Sequence, residues 1–321
     1  MLLLFVGGCK GRKMEPVSRS NFLLNTVVTV TLYDSEDTEL LDGCMKLCED
    51  YEKMFSKTIE TSDIYRLNHR EPGTRKMEVS PETAELIQKG LSYSRLSDGA
   101  FDITIEPLTA LWDFTAEEPQ LPDKEAIKKA CKQVDYKKIR VEDNYVFFLS
   151  DDAAIDLGAI AKGYIADRMK EYLEEKQVKS AIINLGGNVL CLGKRPDGEP
   201  FKVGIQKPFQ EHNVAAEVMT VEDSSMVVSG VYERHFVIDG VNYHHILNPE
   251  TGLPYQNGLD AVAIFSKQSV DGDGLSTSCF SMGLERGMEL IDSLEGVYGV
   301  FLTDDGKLHY SRGAEELRWR D

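Results

Sequence analysis

The chain has 321 residues, 42% of them hydrophobic, which is too apolar for disorder and enough for one large core or two lobes sharing an interface. Its 54 acidic against 36 basic residues give a formal net charge of -18. No Lys/Arg run is long enough for a nucleic-acid footprint, the charge is read as a solubility device, and no stretch approaches the roughly 20 apolar residues that span a bilayer.

The N-terminus reads MLLLFVGGCKG. An apolar run ending in Val6-Gly7-Gly8-Cys9 resembles a bacterial lipobox, in which Cys9 becomes the lipidated first residue of the mature protein. The run is shorter than an ordinary signal segment and lacks its basic start; the competing reading is a frayed apolar end. KGRKMEPVSRS follows, polar and suited to a tether. The expectation is a lipid-anchored protein on the outer face of a bacterial cytoplasmic membrane, with residues 1–20 outside the fold and a folded unit over 21–321.

TVVTVTLYD alternates as a strand. In the next segment Leu41, Cys44, Cys48, Tyr51 and Phe55 follow the helical period, which makes the two cysteines core residues rather than a metal or redox pair. FSKTIETSDIYRLN is a loop with helical turns. Ser80-Pro81 starts a helix with Ala84, Ile87, Leu91 and Ser94 on one face, and Gly99 stops it. An acidic, Pro-bearing loop leads into the helix of DKEAIKKACKQV, and KIRVEDNYVFFLS gives two strands. AIDLGAIAKGYIADRMKEYLEEK reads as a strand end, a Gly turn and a long helix. SAIINLGGNVLCLGK is a strand with a Gly-Gly break, and FKVGIQKP and AAEVMTVEDSSMVVSG continue the strands. HFVIDGVNYHHILNPETGLP is a hairpin turned at Asp239-Gly240; it holds three of the chain's six histidines. A helix in VDGDGLSTSCFSMGLERGMELIDSL and a hairpin in YGVFLTDDGKLHYS complete an α+β pattern of antiparallel hairpins and packed helices.

Three places carry candidate chemistry. Asp156 ends the buried strand, Gly158 turns the chain, and Lys162 enters the first turn of the helix. Free N–H groups and a cation there attract anions, although Gly-rich strand-to-helix turns are common. Asp273 and Thr277 lie four apart on a helix beginning about there. A carboxylate and a hydroxyl suit a hard cation that takes its other oxygens from phosphate and water; the alternative is an N-cap Asp beside an ordinary Thr. Gly186-Gly187 permits close backbone approach by a flat ligand, or marks a β-bulge.

DLGAIAKGYIAD, INLGGN, VSGVYERHFVIDG, HHILNPETGLP and DGDGLSTSCFSMG, in this order and spacing, resemble the ApbE family, the FAD:protein FMN transferases. FSKTIETSDIYRLN and SDGAFDITIEPLTALWDF match it upstream, so the resemblance covers nearly the whole chain after the tether. A lipoprotein start is common in that family. The resemblance implies an α+β, ApbE-like (T-fold-related) architecture. It implies a reaction that splits the diphosphate of FAD, moves FMN onto a Thr or Ser hydroxyl of a partner protein and releases AMP, with Mg²⁺ required. Carried over by motif, Asp273 and Thr277 are metal ligands by side chain, and Ala159 and Ser276 by backbone carbonyl. Asp156 and Lys162 contact FAD, Ala100-Phe101-Asp102 holds part of the dinucleotide, and Leu247 lines the flavin pocket. His245 fills the histidine position of the motif ending in Asn248-Pro249-Glu250-Thr251-Gly252 and is the candidate to relay the acceptor's proton. His244 points to the other face of the strand, because side chains alternate, and His235 is read as structural.

Two positions depart from the family. Leu24 and Asn25 replace Met and Gly, and Thr58 stands where many transferases carry an aromatic residue over the flavin. An open flavin face raises a second reading, a Mg-dependent FAD pyrophosphatase giving FMN and AMP. A third, a non-catalytic flavin-binding lipoprotein, does not need Lys162, Asp273, Thr277 and His245. The implied acceptor is an exported flavoprotein with an [Asp/Glu]-x-x-[Ser/Thr]-Gly-Ala-[Thr/Ser]-like site, which this chain itself lacks.

Overall fold

The alternation in TVVTVTL forms a strand, and the strand is half of a hairpin. β1 (Val17–Leu23) and β2 (Thr26–Leu32) pair antiparallel from Val17 opposite Leu32 to Leu23 opposite Thr26. The structure, a computed structural model, describes residues 15–210 and 214–320. β1 therefore starts inside the stretch expected to be a tether, and the fold begins by Val17 rather than after residue 20. The cause is its composition: Ser18 and Ser20 face outward and bond across to Thr31 and Thr29, so the strand reads as polar linker. Cys9 lies outside the described residues.

Val28, Val30 and Leu32 are wholly buried under α1 (Thr38–Phe55), whose buried face is Leu41, Cys44, Met45, Cys48 and Phe55. Burial pushes the Cys44 and Cys48 thiols up to about 12, away from the thiolate that metal or redox chemistry needs. α2 (Asp63–Asn68) and β3 (Lys76–Glu78) lead to α3 (Pro81–Leu96), capped by the Ser80 hydroxyl. α4 (Glu106–Thr109) and α5 (Lys124–Cys131) follow. β4 (Ile139–Glu142) and β5 (Tyr145–Phe148) form the expected hairpin, extended by β3.

Residues 153–157 lie outside any strand. Asp156 is held instead by its N–H to the Ile103 carbonyl, 2.8 Å, and by Asn68, which pairs with both backbone groups of Ile155. The chain then enters α6 (Ala161–Glu175). β6 (Ser180–Leu185) and β7 (Asn188–Gly193) are two strands joined by Gly186-Gly187, with φ of 59° and 93°. Two left-handed residues make a two-residue hairpin turn, so the glycines neither break nor bulge one strand but separate two.

β8 (Phe201–Gln206) and β9 (Ala215–Val221) form a hairpin of their own, followed by β10 (Ser224–Gly230). β11 (His235–Ile238) and β12 (Val241–His244) turn at Asp239-Gly240, at φ 51° and 77°, as the Asp-Gly pair predicts. After β13 (Leu259–Ser266), α7 runs from Ser269 to Met282. Asp273 thus sits in its second turn and is no N-cap. α8 (Leu284–Ser293), β14 (Tyr298–Thr303) and β15 (Leu308–Tyr310) follow.

The architecture is α+β. Eight strands make one antiparallel sheet in the order β1-β2-β6-β7-β10-β13-β14-β15. α1, α6, α7 and α8 pack on one face. The β8–β9 hairpin covers part of the other around Cys191, Phe201, Met219 and Phe265. Trp112, with Leu108 and Ile127, packs against Phe236 and Leu247 and so docks α4 and α5 onto the β11–β12 hairpin.

Candidate functional site

α6, α7 and the β6–β7 turn meet at the first turn of α6. Asp273 Oδ2 accepts the Gly163 N–H at 2.6 Å, and Oδ1 accepts from Asn188 Nδ2 at 2.9 Å. Asn188 Oδ1 in turn accepts the Ser269 hydroxyl at 2.7 Å. A Cβ on Gly163 would lie 2.3 Å from the Ser269 carbonyl oxygen, so only glycine lets the helices approach this closely. One turn on, Asp167 accepts the N–H groups of Ser269 and Val270 at 2.7 and 2.9 Å. It caps α7 from a neighbouring helix, a task for which Gln268 supplies no side-chain bond.

Lys162 lies over the β6–β7 turn, with Nζ 3.4 Å from the Gly186 carbonyl oxygen. Burial pushes the Asp273 carboxyl up, and Lys162, Asn188 and the Gly163 N–H pull it partly back. The exposed Glu233 also feels the opposing charges of Lys162 and Arg234, while Asp273 repels it. One ammonium therefore serves two carboxylates. Ser229 of β10 joins the Ser276 and Thr277 hydroxyls at 2.9 and 3.1 Å.

His245 follows β12, and its N–H and Nδ1 lie 3.1 and 3.3 Å from the Arg234 carbonyl oxygen. A carbonyl only accepts, so Nδ1 carries the hydrogen and Nε2 keeps its lone pair. Desolvation pushes the imidazole down to about 3, with Arg234, His244 and Lys162 adding to the effect. His244 is 1% exposed. Its Nε2–H donates to the Tyr255 carbonyl at 2.8 Å, Nδ1 accepts from Ile246 N–H, and the ring meets Phe280 edge-on. It is a satisfied core histidine. His235 pairs with His244 across the hairpin and lies edge-on to Phe209.

These positions suit a hard cation. Each Asp273 oxygen accepts one protein hydrogen bond and retains a lone pair. Among the described residues no group of three His, Cys, Asp or Glu could hold a metal ion. A cation beside Asp273 would have one carboxylate and the nearby Thr277 hydroxyl to draw on, which would leave ligand positions for phosphate or water.

Asp156 belongs to a second cluster. Its Oδ2 accepts from Lys57 Nζ at 2.8 Å and from the Thr109 hydroxyl at 2.9 Å, and Oδ1 accepts the Gly158 N–H at 2.8 Å. Lys57 also reaches Glu106 Oε2 at 2.7 Å. Burial would raise the Asp156 carboxyl, but the charge and hydrogen bond of Lys57, with those of Gly158 and Thr109, hold it below the usual range.

Other expected positions have structural partners. The Asp102 carboxylate accepts from Thr104 N–H, the Thr104 hydroxyl and Tyr136 N–H, and Phe101 packs in the core beside Tyr93. The Ala100 carbonyl accepts from Tyr255 Oη at 3.0 Å. Leu247 is 6% exposed within the Trp112 cluster. Leu24 and Asn25 form the β1–β2 turn at φ 54° and 55°, and Leu24 N–H donates to Glu52. Thr58 is exposed, its hydroxyl 3.0 Å from Ser56 Oγ. Ala159 is exposed just before α6. Sequence reasoning missed Asn188, Glu233, Gly163, Asp167 and Lys57. Asn188 and Gly163 adjoin positions it did single out; Asp167, Glu233 and Lys57 lie inside the family-like segments, which do not show what each of them touches.

The ApbE family model matches residues 24–302. A Klebsiella pneumoniae (strain 342) protein named FAD:protein FMN transferase is 35% identical over 288 residues, 89% of this chain and 89% of that protein. One of the same name from Treponema pallidum (strain Nichols) is 31% identical over 332 residues, 97% of this chain and 91% of its own. The crystal structure of the ApbE protein of Thermotoga maritima superposes with a TM-score of 0.86 at 28% identity, covering 95% of this chain and all of that one.

Proposed function

The chain belongs to the ApbE family and is a flavin transferase, and from that premise we propose that it moves FMN from FAD onto a Thr or Ser hydroxyl of an exported flavoprotein, in a Mg²⁺-dependent reaction that releases AMP. The observation that carries this reading is that Asp273 and His245 both lie within electrostatic reach of the Lys162 ammonium, which itself sits over the Gly186-Gly187 turn.

Asp273 and Thr277, with the carbonyls of Ala159 and Ser276, would hold Mg²⁺, which when bound supplies positive charge to the diphosphate oxygens. The acceptor oxygen forms a bond to the FMN-side phosphorus as the bridging P–O bond breaks, and AMP leaves with that oxygen. Lys162 offsets charge on the diphosphate where an oxygen nucleophile must approach. The backbone at Gly186-Gly187 has no side chain to hold the substrate off. Nε2 of His245 is the atom placed to accept the hydroxyl proton. Desolvation keeps its basicity low, with Arg234, His244 and Lys162 adding to the effect; an anionic diphosphate against those cations would remove their part of it.

The acceptor is proposed to carry an [Asp/Glu]-x-x-[Ser/Thr]-Gly-Ala-[Thr/Ser]-like site, and the protein to reach it from the outer face of the membrane through a lipid on Cys9. Incubating the full chain with FAD, Mg²⁺ and such an acceptor domain tests the reading: the acceptor should gain the mass of FMN, and free FMN alone would replace transfer by hydrolysis. Hydrolysis remains a second reading because Thr58 is small and exposed and the nearby Tyr65 ring stacks on His69 at 3.8 Å instead.

A further inference from the structure

Lys57, Glu106, Thr109 and Asp156 come from three separated segments: the loop after α1, α4, and the approach to α6. Side-chain exposure is 32% for Lys57, 18% for Glu106 and 16% for Asp156, so water screens the charges only in part. The ammonium donates to Glu106 Oε2 at 2.7 Å, Asp156 Oδ2 at 2.8 Å and Thr109 Oγ1 at 2.9 Å, which uses its three hydrogens. Thr109 Oγ1 also lies 3.0 Å from Glu106 Oε2 and 2.9 Å from Asp156 Oδ2. One hydroxyl hydrogen cannot serve both carboxylates at full strength, so Lys57 is what lets them stand side by side.

Resting on the flavin-transferase reading, we propose that Lys57 is a positioning residue of the dinucleotide site: it clamps Glu106 to Asp156 and cancels one of two carboxylate charges that would otherwise face an anionic substrate. Asp156 lies six residues before Lys162 and is tied by its own carboxylate to Gly158 on the way there. Lys57 is followed directly by Thr58, the position expected over the flavin. The clamp therefore sets the loop bearing Thr58 against the helix start bearing Lys162. Its charge is as important as its geometry. With Lys57 the cluster carries one net negative charge; without it, two, in a chain that is already strongly acidic.

The titratable groups facing one another across these segments are Lys57, Glu106 and Asp156. Removing the lysine leaves two carboxylates bridged by one hydroxyl. Such a pair loses its protons in two steps, and the second, shared proton is held to a higher pH than an ordinary carboxylate holds its own. FAD affinity of Lys57→Met should then fall as the pH rises and recover on acidification. A lysine that only stapled the loop would give a loss independent of pH.

The test is FAD binding to the full chain with Mg²⁺, read by flavin fluorescence between about pH 5.5 and pH 8, across the range in which such a pair releases its shared proton. Lys57→Met should bind about tenfold more weakly than wild type at the upper end and within about threefold at the lower. Lys57→Met/Glu106→Gln, which again carries one net negative charge, should regain most of the affinity at the upper end. Glu106→Gln alone should bind FAD at least as tightly as wild type, a measurement that stands even if Lys57→Met folds poorly. Unchanged affinity in Lys57→Met, an equal loss at every pH unrelieved by Glu106→Gln, or weaker binding by Glu106→Gln alone would overturn the proposal. A wild type that does not bind FAD at all overturns the flavin-transferase reading itself.

Discussion

Asp273 Oδ2 takes the Gly163 N–H at 2.6 Å, so a carboxylate in the second turn of α7 is fixed by the backbone of the first turn of α6. The contact needs the absent Cβ at 163, which would meet the Ser269 carbonyl at 2.3 Å and the Val270 nitrogen at 2.6 Å. Both are backbone atoms and cannot swing aside. Gly163→Ala should destabilise the fold by about 1–3 kcal/mol, as overpacking does, and weaken Mg²⁺-dependent turnover with it. A urea midpoint equal to wild type would show that the helices have room.

Asp273→Ala should abolish turnover with Mg²⁺ and FAD. It also strands the Gly163 N–H and the Asn188 amide, each costing about 1–3 kcal/mol if left unpaired. Asp273→Asn keeps the shape and one acceptor oxygen but turns an amide NH2 toward the second donor, so it should recover part of the stability that Ala loses and none of the activity. Activity above about a tenth of wild type in the Asn variant would remove Asp273 from the metal site.

His245 gives a signed pH dependence. Its folded-state pKa is pushed from 6.5 down to about 3, so on acidification the unfolded chain binds a proton that the folded chain refuses. The stability it contributes is present above about pH 6.5 and is lost as the pH falls toward 3. Asp167 acts with the opposite sign, because burial pushes its carboxyl up to about 6 and its ionisation costs stability as the pH rises. The readout is therefore a difference: between pH 7 and about pH 4.5, inside the window in which His245 acts, His245→Gln should lose less stability than wild type in urea unfolding. An equal or larger loss would mean that the imidazole is not held neutral.

The elements that the sequence made legible have one dominant period. β2 alternates, α1 presents Leu41, Cys44 and Cys48 every turn, and Asp239-Gly240 turns a hairpin. β1 is hidden because two of its three outward residues are serines, the third is an exposed Phe22, and its inward ones are only half buried. Gly186-Gly187 is legible as a place of close backbone approach but not as a hairpin turn, since a turn and a bulge use the same residue type. The site divides the same way. Lys162, Asp273, Thr277 and His245 sit in contiguous motifs of the chain. Lys57 and Asp156 are 99 residues apart, and Asp167 and Ser269 are 102 apart; no local pattern announces a contact that packing creates.

The lipobox reading predicts location. Expressed in a bacterial host with its native N-terminus, the protein should partition with membranes and need detergent for release. Cys9→Ser should free it. A wild type recovered in the soluble cytoplasmic fraction would overturn the anchor while leaving the transferase chemistry untouched.

Thr58 decides how transfer competes with water. An aromatic side chain there could stack on the isoalloxazine or adenine face, worth about 0.5–1.5 kcal/mol beyond area burial. Thr58 is exposed and its hydroxyl turns to Ser56. The neighbour that could have substituted, Tyr65, is already stacked on His69 with an interplanar angle of 17°. The flavin face is therefore expected to be open and water closer to the diphosphate. FAD should be hydrolysed measurably to FMN and AMP in the absence of any acceptor. Thr58→Tyr should lower that rate and tighten FAD by up to about tenfold if the full stacking energy is realised, since about 1.4 kcal/mol is a factor of ten. The measurement is FMN release with and without an acceptor domain, for both proteins. Negligible release from wild type and no change in the variant would mean that another group covers the ring, and would leave transfer as the one enzymatic reading.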